Sequence, residues 1–220
     1  MPARAAAARG LGLAPPYAAK GAMTGYPRLI LMRHGQTVWN AAGRMQGRLD
    51  SPLTVHGRRQ ATAMGRVVAA LLPDSRADLF VSPSGRTMQT ADIALTGMSW
   101  PRRQDPRLME LGVGRFEGMT RDEITHEYPA IEQGPDFAWL FAAPGGEGLD
   151  GLRARVRDFL AGLANPADPG RAAVIVSHGI TLRLLRAEAL GLGVTGYLDL
   201  PGGQGVVWEI AAGHHRVHTV

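Results

Sequence analysis

The sequence predicts an α/β three-layer sandwich, with a mostly parallel central sheet, helices on both faces and a small helical cover. Three observations point there. Two short apolar runs, Leu29-Ile30-Leu31-Met32 and Val174-Ile175-Val176, each stop at a polar residue followed by His-Gly. Such runs fit strands buried on both faces, as parallel sheets require. Segments with apolar residues at helical spacing alternate with these runs and with other short ones, which is the pattern of an α/β domain.

Residues 1–26 are rich in Ala, Gly and Pro and contain no acid. Arg9 interrupts what would be an apolar signal core, so no secretory signal is expected. The acid-free, arginine-bearing start is a weaker match to an organellar transit peptide. The expectation is a disordered tail, or residues upstream of a true start at Met23, with one domain over residues 27–220.

The first strand, flanked by Pro27, ends at Arg33-His34-Gly35. A loop rich in Gly and Arg follows over Ala41 to Pro52. Thr54 is the expected N-cap of a helix whose apolar positions are Ala61, Met64, Val67, Val68, Leu71 and Leu72, and Pro73 stops it. Asp78 to Val81 reads as a second buried strand. It runs through Ser82-Pro83-Ser84-Gly85-Arg86 into a helix carrying Met88, Ala91, Ile93, Ala94 and Leu95. Leu108 to Leu111 is predicted as a short strand carrying Glu110. Residues 112–148, with Phe116, Tyr128, Phe137, Trp139 and Phe141, are expected to form short helices over the sheet edge. Their aromatics are read mainly as packing. Glu147 to Ala164 is an amphipathic helix, broken by Asn165-Pro166 and Pro169-Gly170. The second His-Gly strand, a helix over Thr181 to Leu190 and a hairpin over Val206 to Val220 turning near Gly213 complete the chain.

With 220 residues, 45% of them hydrophobic, the chain can bury the core of one sizeable domain. It has no cysteine, which removes disulfides and thiol catalysis and suits a reducing compartment. No apolar run approaches the roughly 18 residues of a membrane span. A cytoplasmic protein is expected. The net charge is +5 and Lys20 is the only lysine. The arginines are scattered singly or in pairs, as at Arg58-Arg59 and Arg102-Arg103, without a basic run or interleaved aromatics. That distribution reads as compositional bias, so neither nucleic acid nor membrane is expected as a partner.

In open α/β sheets, ligands sit at the carboxyl ends of the strands. Two His-Gly strand ends can therefore bring His34 and His178 to one edge, with Arg33 and Arg86 beside them. Neither stretch has zinc-ligand spacing. A phosphoryl group carries charge on three oxygens, and its transfer needs fixed cationic donors around them. Arg33, Arg86 and His178 supply these, and the planar arginine fork suits phosphate oxygens. His34, kept neutral by surrounding positive charge, is the candidate nucleophile. Glu110 is the candidate general acid for a leaving alkoxide. No cofactor and no metal is implied.

At this point the chain resembles the histidine phosphatase superfamily, the phosphoglycerate mutase-like proteins, over about residues 28–210. The resemblance rests on Arg33-His34-Gly35-Gln36-Thr37 followed by Trp39-Asn40, on the string from Gly43 to Thr54 with Gly57, and on Ser82 to Ala91. It continues through Leu108 to Gly118, Pro144 to Gly148 and Val176 to Gly179, in the family's order. By resemblance, His34 becomes phosphorylated, Arg33, Arg86 and His178 hold the phosphate, Glu110 donates the proton, and Asn40 and Gln46 are further phosphate-pocket contacts. Two positions depart from the family pattern. Gly148 stands where a serine is usual, and Ser84-Gly85 replaces a Leu-x pair before Arg86.

The resemblance implies a metal-independent phosphomonoester hydrolase acting on a small phosphorylated metabolite through a phosphohistidine, with homodimer formation left open. A phosphoglycerate mutase is one alternative. It would carry a longer insertion after the acidic residue, where this chain has the short Gly112 to Gly118 stretch seen in phosphatases. A non-catalytic phospholigand-binding module is another, and it would need neither His34 nor Glu110. A phosphatase acting on phosphohistidine in proteins is a third, and such members usually lack a large cover.

Overall fold

The computed structural model describes residues 25–220 except 74, 75, 133, 135, 136, 165–167, 169, 194 and 195. The predicted tail, apart from Gly25 and Tyr26, lies outside the described residues, as do Asn165, Pro166 and Pro169.

Strand β1 (Leu29–Arg33) lies at the centre of the sheet. It runs parallel to the strand over Ala172–Ser177, in register from Leu29 opposite Ala173 to Arg33 opposite Ser177. Both apolar runs are fully buried, as strands covered on both faces must be. Numbered along the chain, the other strands are β2 (Ala77–Val81), β3 (Arg102–Gln104), β4 (Ala172–Ser177), β5 (Val206–Ala211) and β6 (His214–Thr219). Among the described residues they form one sheet in the order β3-β2-β4-β1-β5-β6. The β1, β2, β3 and β4 pairings are parallel. The terminal hairpin of β5 and β6 adds on antiparallel.

Period-two alternation sorts the central strands between two cores. Leu29, Leu31, Ala173 and Ile175 face α5 (Gly148–Leu163) and α6 (Gly179–Ala189), packing with Leu152, Val156, Phe159, Leu184 and Trp208. Ile30, Met32, Val174 and Val176 face α2 (Val55–Leu71) and α3 (Gly85–Ala94), packing with Met64, Val68 and Ala91. The layers are thus helix, sheet, helix. Among the described residues no helix is long and apolar enough to cross a membrane.

Local chemistry sets the helix ends. Thr54 Oγ1 accepts from the Gly57 N–H at 2.9 Å, as an N-cap should. The loop after β1 begins with a one-turn helix, α1 (Val38–Ala41), closed by a capping box between Thr37 and Asn40. The last helix begins at Gly179 rather than Thr181, because its first turn grows directly from the end of β4.

One predicted strand is corrected. Leu108 to Leu111 does not pair into the sheet. Asp105 accepts from the Arg107 N–H at 2.9 Å, and Pro106 has no N–H for a ladder, so the chain coils into a 3-10 turn at Pro106–Leu108 and continues irregularly. Leu108 and Leu111 are buried all the same, which is why the run reads as a strand. The strand beyond β2 is instead β3, Arg102 to Gln104, exposed along its length and without an apolar signal.

The segment at 112–148 forms the cover. It holds 3-10 turns at Gly114–Phe116 and Ala138–Ala142, with α4 (Arg121–Glu127) between them. Buried Phe116 packs against Tyr128 and Trp139, with ring centroids 5.3 and 5.8 Å away. These rings pack within the cover, and Phe116 and Trp139 belong to the core cluster under α5 and α6 that joins it to the body.

The loop after β1 lies directly on the first turn of α2. A Cβ at Gly35 would stand 2.3 Å from the Gly57 carbonyl oxygen, and one at Gly57 would stand 2.0 Å from that of Gln36. Backbone meets backbone here, so neither side can yield cheaply. Gly57→Ala should therefore destabilise the protein by about 1–3 kcal/mol through overpacking, read as a lower urea midpoint. An unchanged midpoint would show that the loop does not need this approach.

Candidate active site

The parallel register that aligns Arg33 with Ser177 also aligns the residues beyond them. The His34 N–H continues the ladder by donating to the Ser177 carbonyl at 3.0 Å, and the imidazoles of His34 and His178 meet edge to face with centroids 5.3 Å apart. Above this edge opens a pocket of about 300 Å³. Its lining includes Arg33, His34, Asn40, Gln46, Arg86 and Glu110. Six of the seven residues singled out in the sequence thus share one cavity. His178 does not line it.

His34 is oriented by its own loop. Its Nδ1 stands 2.8 Å from the Gly35 carbonyl oxygen, which can only accept, so Nδ1 carries the proton and Nε2 keeps its lone pair. Burial disfavours the charged ring, and the Arg33 and Arg86 cations add to that. Together they hold His34 well below the usual imidazole range, against a weaker opposing effect of the Gly35 bond. The Gly35 N–H in turn donates to Thr90 Oγ1 at 3.1 Å.

His178 has both nitrogens engaged. Nδ1 accepts from Arg86 Nε at 3.2 Å, and Nε2 lies 2.8 Å from Ser82 Oγ. Burial, then Arg86, His34 and Arg33, push it well below the normal range as well. In this geometry His178 supports Arg86.

Arg86 is fully buried in the first turn of α3. Besides His178, its guanidinium donates to the carbonyls of Leu49 at 2.6 Å and Gly47 at 2.8 Å, and to Asp50 Oδ1 at 3.0 Å. Arg33 packs flat against Gly179, where a Cβ would stand 3.1 Å from its Cζ. Arg33 Nε is buried without a partner among the described residues, leaving donor capacity in a cavity that Arg33 lines.

Glu110 lies in the irregular stretch after the 3-10 turn, not on a strand end. Its carboxylate caps the start of α6. Oε1 accepts from the Thr181 N–H at 3.1 Å, from Thr181 Oγ1 at 3.0 Å and from the Leu111 N–H at 3.0 Å, while Oε2 accepts from the Ile180 N–H at 3.2 Å. A helix N-terminus is a favourable place for a carboxylate, and this one also lines the pocket.

Asn40 Oδ1 accepts from the Thr37 N–H at 3.2 Å and from Gln204 Nε2 at 2.9 Å. Gln46 Oε1 is buried and unpartnered among the described residues. Turned about its last bond, the amide would present its NH2 group to the same space. Gly148 has φ +72°, so a side chain there, serine included, would be strained.

Sequence reasoning passed over four contributors: Asp50 and Ser82, which hold Arg86 and His178; Thr90, which holds Gly35; and Arg183, which lines the pocket with its Cζ 4.6 Å from the Phe137 ring centroid. Arg183 lies one turn of α6 beyond Gly179. That spacing was the one available signal for it, since the residue must return to the same end of the helix.

A profile described as "Histidine phosphatase superfamily (branch 1)" matches residues 29–220. A Klebsiella pneumoniae protein named probable phosphoglycerate mutase GpmB is 36% identical over 171 residues, covering 75% of each chain. A glucosyl-3-phosphoglycerate phosphatase from Mycolicibacterium vanbaalenii is 35% identical over 200 residues, covering 86% of this chain and 85% of its own. Among solved structures, Bacillus stearothermophilus YhfR superposes with a TM-score of 0.74 at 33% identity, covering 88% of this chain and 96% of its own. A mycobacterial glucosyl-3-phosphoglycerate phosphatase solved with VO3 gives a TM-score of 0.72 at 30% identity, covering 88% and 98%.

The buried histidines make stability depend on pH. Free histidine titrates near 6.5, whereas folded His34 and His178 hold off the proton to much lower pH, and burial with Arg186 nearby takes His215 to about 4. Below about pH 6.5 the unfolded chain therefore binds protons that the folded chain refuses, so stability is full above that pH and falls as pH falls. Each such histidine contributes a slope of up to about 1.4 kcal/mol per pH unit. Urea midpoints measured from pH 7 to pH 5 should fall, and His34→Asn should flatten the decline. An equal decline in that variant would mean that His34 titrates normally.

Proposed function

From the premise that this chain belongs to the histidine phosphatase superfamily, we propose that it hydrolyses small phosphorylated metabolites through a phosphohistidine on His34. The observation that carries this reading is the His34 tautomer: Nδ1–H is spent on Gly35, and the Nε2 lone pair belongs to a ring that lines a cavity walled by Arg33, Arg86 and Glu110. The phosphatase names among its relatives support the same reaction.

In the first step Nε2 of His34 attacks phosphorus, a P–N bond forms and the P–O bond to the substrate alcohol breaks. Arg33 and Arg86 hold the phosphoryl oxygens, and Gln46 and Asn40 reach the same group from the pocket wall. Glu110 gives its proton to the departing alkoxide. In the second step the Glu110 carboxylate takes a proton from water, which attacks phosphorus as the P–N bond breaks, returning His34 and releasing inorganic phosphate. His178 keeps Arg86 in place through both steps. No metal takes part.

A cavity of about 300 Å³ with Phe137 and Leu140 in its wall suits a small organic phosphate under a cover rather than a protein surface. Hydrolysis requires only that the acceptor be water. The relative named as a mutase makes transfer to a second alcohol the alternative outcome, and added acceptor alcohol that diverts product would reveal it. The same reading takes the protein as cytoplasmic, without nucleic-acid or membrane partners, and leaves homodimer formation open.

With a chelator present, a phosphorylated substrate carrying labelled phosphorus should leave acid-labile, base-stable label on the protein. His34→Ala should lose both that label and turnover. Label that persists would move the nucleophile away from His34, and turnover that needs a divalent metal would refute the mechanism.

Glu110→Gln keeps the shape and removes the proton. General acid catalysis is worth about 10²- to 10⁴-fold, and only a strongly basic leaving oxygen needs it. Single-turnover release of the first product should therefore slow by that range for alkyl phosphates and much less for p-nitrophenyl phosphate. Equal losses would exclude Glu110 as the acid and turn attention to Glu117 and Glu147.

A further inference from the structure

We propose that Asp50 is a positioning residue for Arg86 and that this chain carries glycine at position 85 to admit it. The inference rests on the phosphatase reading above, in which Arg86 holds the phosphoryl group.

The argument begins with a donor count. A guanidinium has five N–H groups. Arg86 gives Nε–H to His178, both Nη1 hydrogens to Leu49 O and Asp50 Oδ1, and one Nη2 hydrogen to Gly47 O. One Nη2–H is left for a ligand. Four fixed bonds determine where that last donor points, because the fork is planar and rigid. Three of the acceptors are two main-chain carbonyls and a buried imidazole, all held by the fold. The fourth, Asp50, is the charged one, and its side chain is 43% exposed, whereas that of Arg86 is 1% exposed. Asp50 is therefore the member of the set that can leave without taking the fold with it. A buried cation deprived of its carboxylate must shift or meet solvent.

Asp50 also fixes the start of α3, since the same Oδ1 accepts from the Arg86 N–H at 3.2 Å. It can do so only because position 85 lacks a side chain. A Cβ on Gly85 would stand 2.2 Å from Asp50 Oδ2 and 3.4 Å from its Cγ, and it would meet nothing else. The carboxylate occupies the space that a side chain at 85 would take. An open cavity of about 300 Å³ lined by Asp50, Ser51, Pro52, Gly85, Arg86 and Gln89 lies at the same place on the surface. The obstacle is the far end of a flexible, exposed side chain. An alanine at 85 would push Asp50 off Arg86 and leave the backbone where it is. The φ of Gly85 lies outside the left-handed region, and alanine favours helix over glycine, so the helix itself tolerates the change.

The test is a double-mutant cycle on the full chain, read by the Kd for inorganic phosphate and the KM for p-nitrophenyl phosphate, with urea midpoints alongside. Asp50→Ala and Gly85→Ala should each weaken phosphate binding about tenfold. Gly85→Ala should lower the urea midpoint no more than Asp50→Ala does, because both lose the same contacts to Arg86 and alanine favours the helix, whereas a separate structural role for position 85 would add a loss of its own. Asp50→Asn, which retains the accepting oxygen, should recover most of the affinity. The double variant should be no worse than either single one, because the alanine then fills space that Asp50 has vacated. Losses that multiply to about a hundredfold would show the two positions to be independent and overturn the coupling. Unchanged affinity in Asp50→Ala would overturn the positioning role while leaving the phosphatase reading intact. Wild-type protein that neither binds phosphate nor hydrolyses the ester would instead overturn the phosphatase reading, and this inference with it.

Discussion

The site depends on one pairing, the parallel ladder between β1 and β4. Its register sets Arg33 opposite Ser177, and the His34 N–H carries the ladder one step further by bonding the Ser177 carbonyl. Both strands are buried on both faces, so a slip of one residue would send every apolar side chain into the wrong core. Two separate cores, one under α5 and α6 and one under α2 and α3, thus lock the register from opposite sides. The 5.3 Å approach of the two imidazoles follows from that register.

Concentrating cations around a buried neutral histidine has a cost, and the structure shows how it is met. Charges taken out of water need hydrogen bonds. Arg86 finds them in main-chain carbonyls, His178 and Asp50. Arg33 retains an unpartnered Nε among the described residues. Among the described residues the one pocket carboxylate, Glu110, is itself held by the N-terminus of α6, the helix that follows His178. Helix α6 therefore links the acid and the second histidine as one rigid unit. Arg186 on the same helix stacks over Trp208, with its Cζ 4.2 Å from the ring centroid, and donates to the Pro201 carbonyl at 2.7 Å. This anchors the stretch whose Gly202 and Gly203 line the pocket and whose Gln204 reaches Asn40. The terminal hairpin and the pocket rim are thereby joined through a buried cation.

Much of this was legible along the chain. Apolar runs of four or three residues with His-Gly ends announce buried strands and their ligand edge, because a strand covered on both faces has no polar alternation to confuse it. Thr54 before a 3.6-period run announces α2, because an N-cap needs only local atoms. Arg33, His34, Asn40, Gln46, Arg86 and Glu110 were named from the sequence, and the fold brings all six to one cavity. The edge strand β3 was not legible, since exposed polar residues carry no burial signal. The run at Leu108 to Leu111 misled for the opposite reason: burial was read correctly and taken for pairing.

What the sequence determined by itself was the order and burial of the central strands and of the helices around them, and the residue types that can move a phosphoryl group, all of which follow from local periodicity and side-chain chemistry. Tertiary structure alone decided which atoms do what. The Gly35 carbonyl sets the free nitrogen of His34, Ser82 and Arg86 occupy both nitrogens of His178, and the start of α6 holds Glu110 from a position 71 residues away in the chain. Asp50 and Arg86 meet across 36 residues, beside a glycine at position 85 that puts no side chain in the way. Apart from the Gly35 bond, which joins neighbours in the chain, these are contacts between distant stretches, and no local pattern encodes them. They exist only once the sheet has fixed the ends of its strands relative to one another.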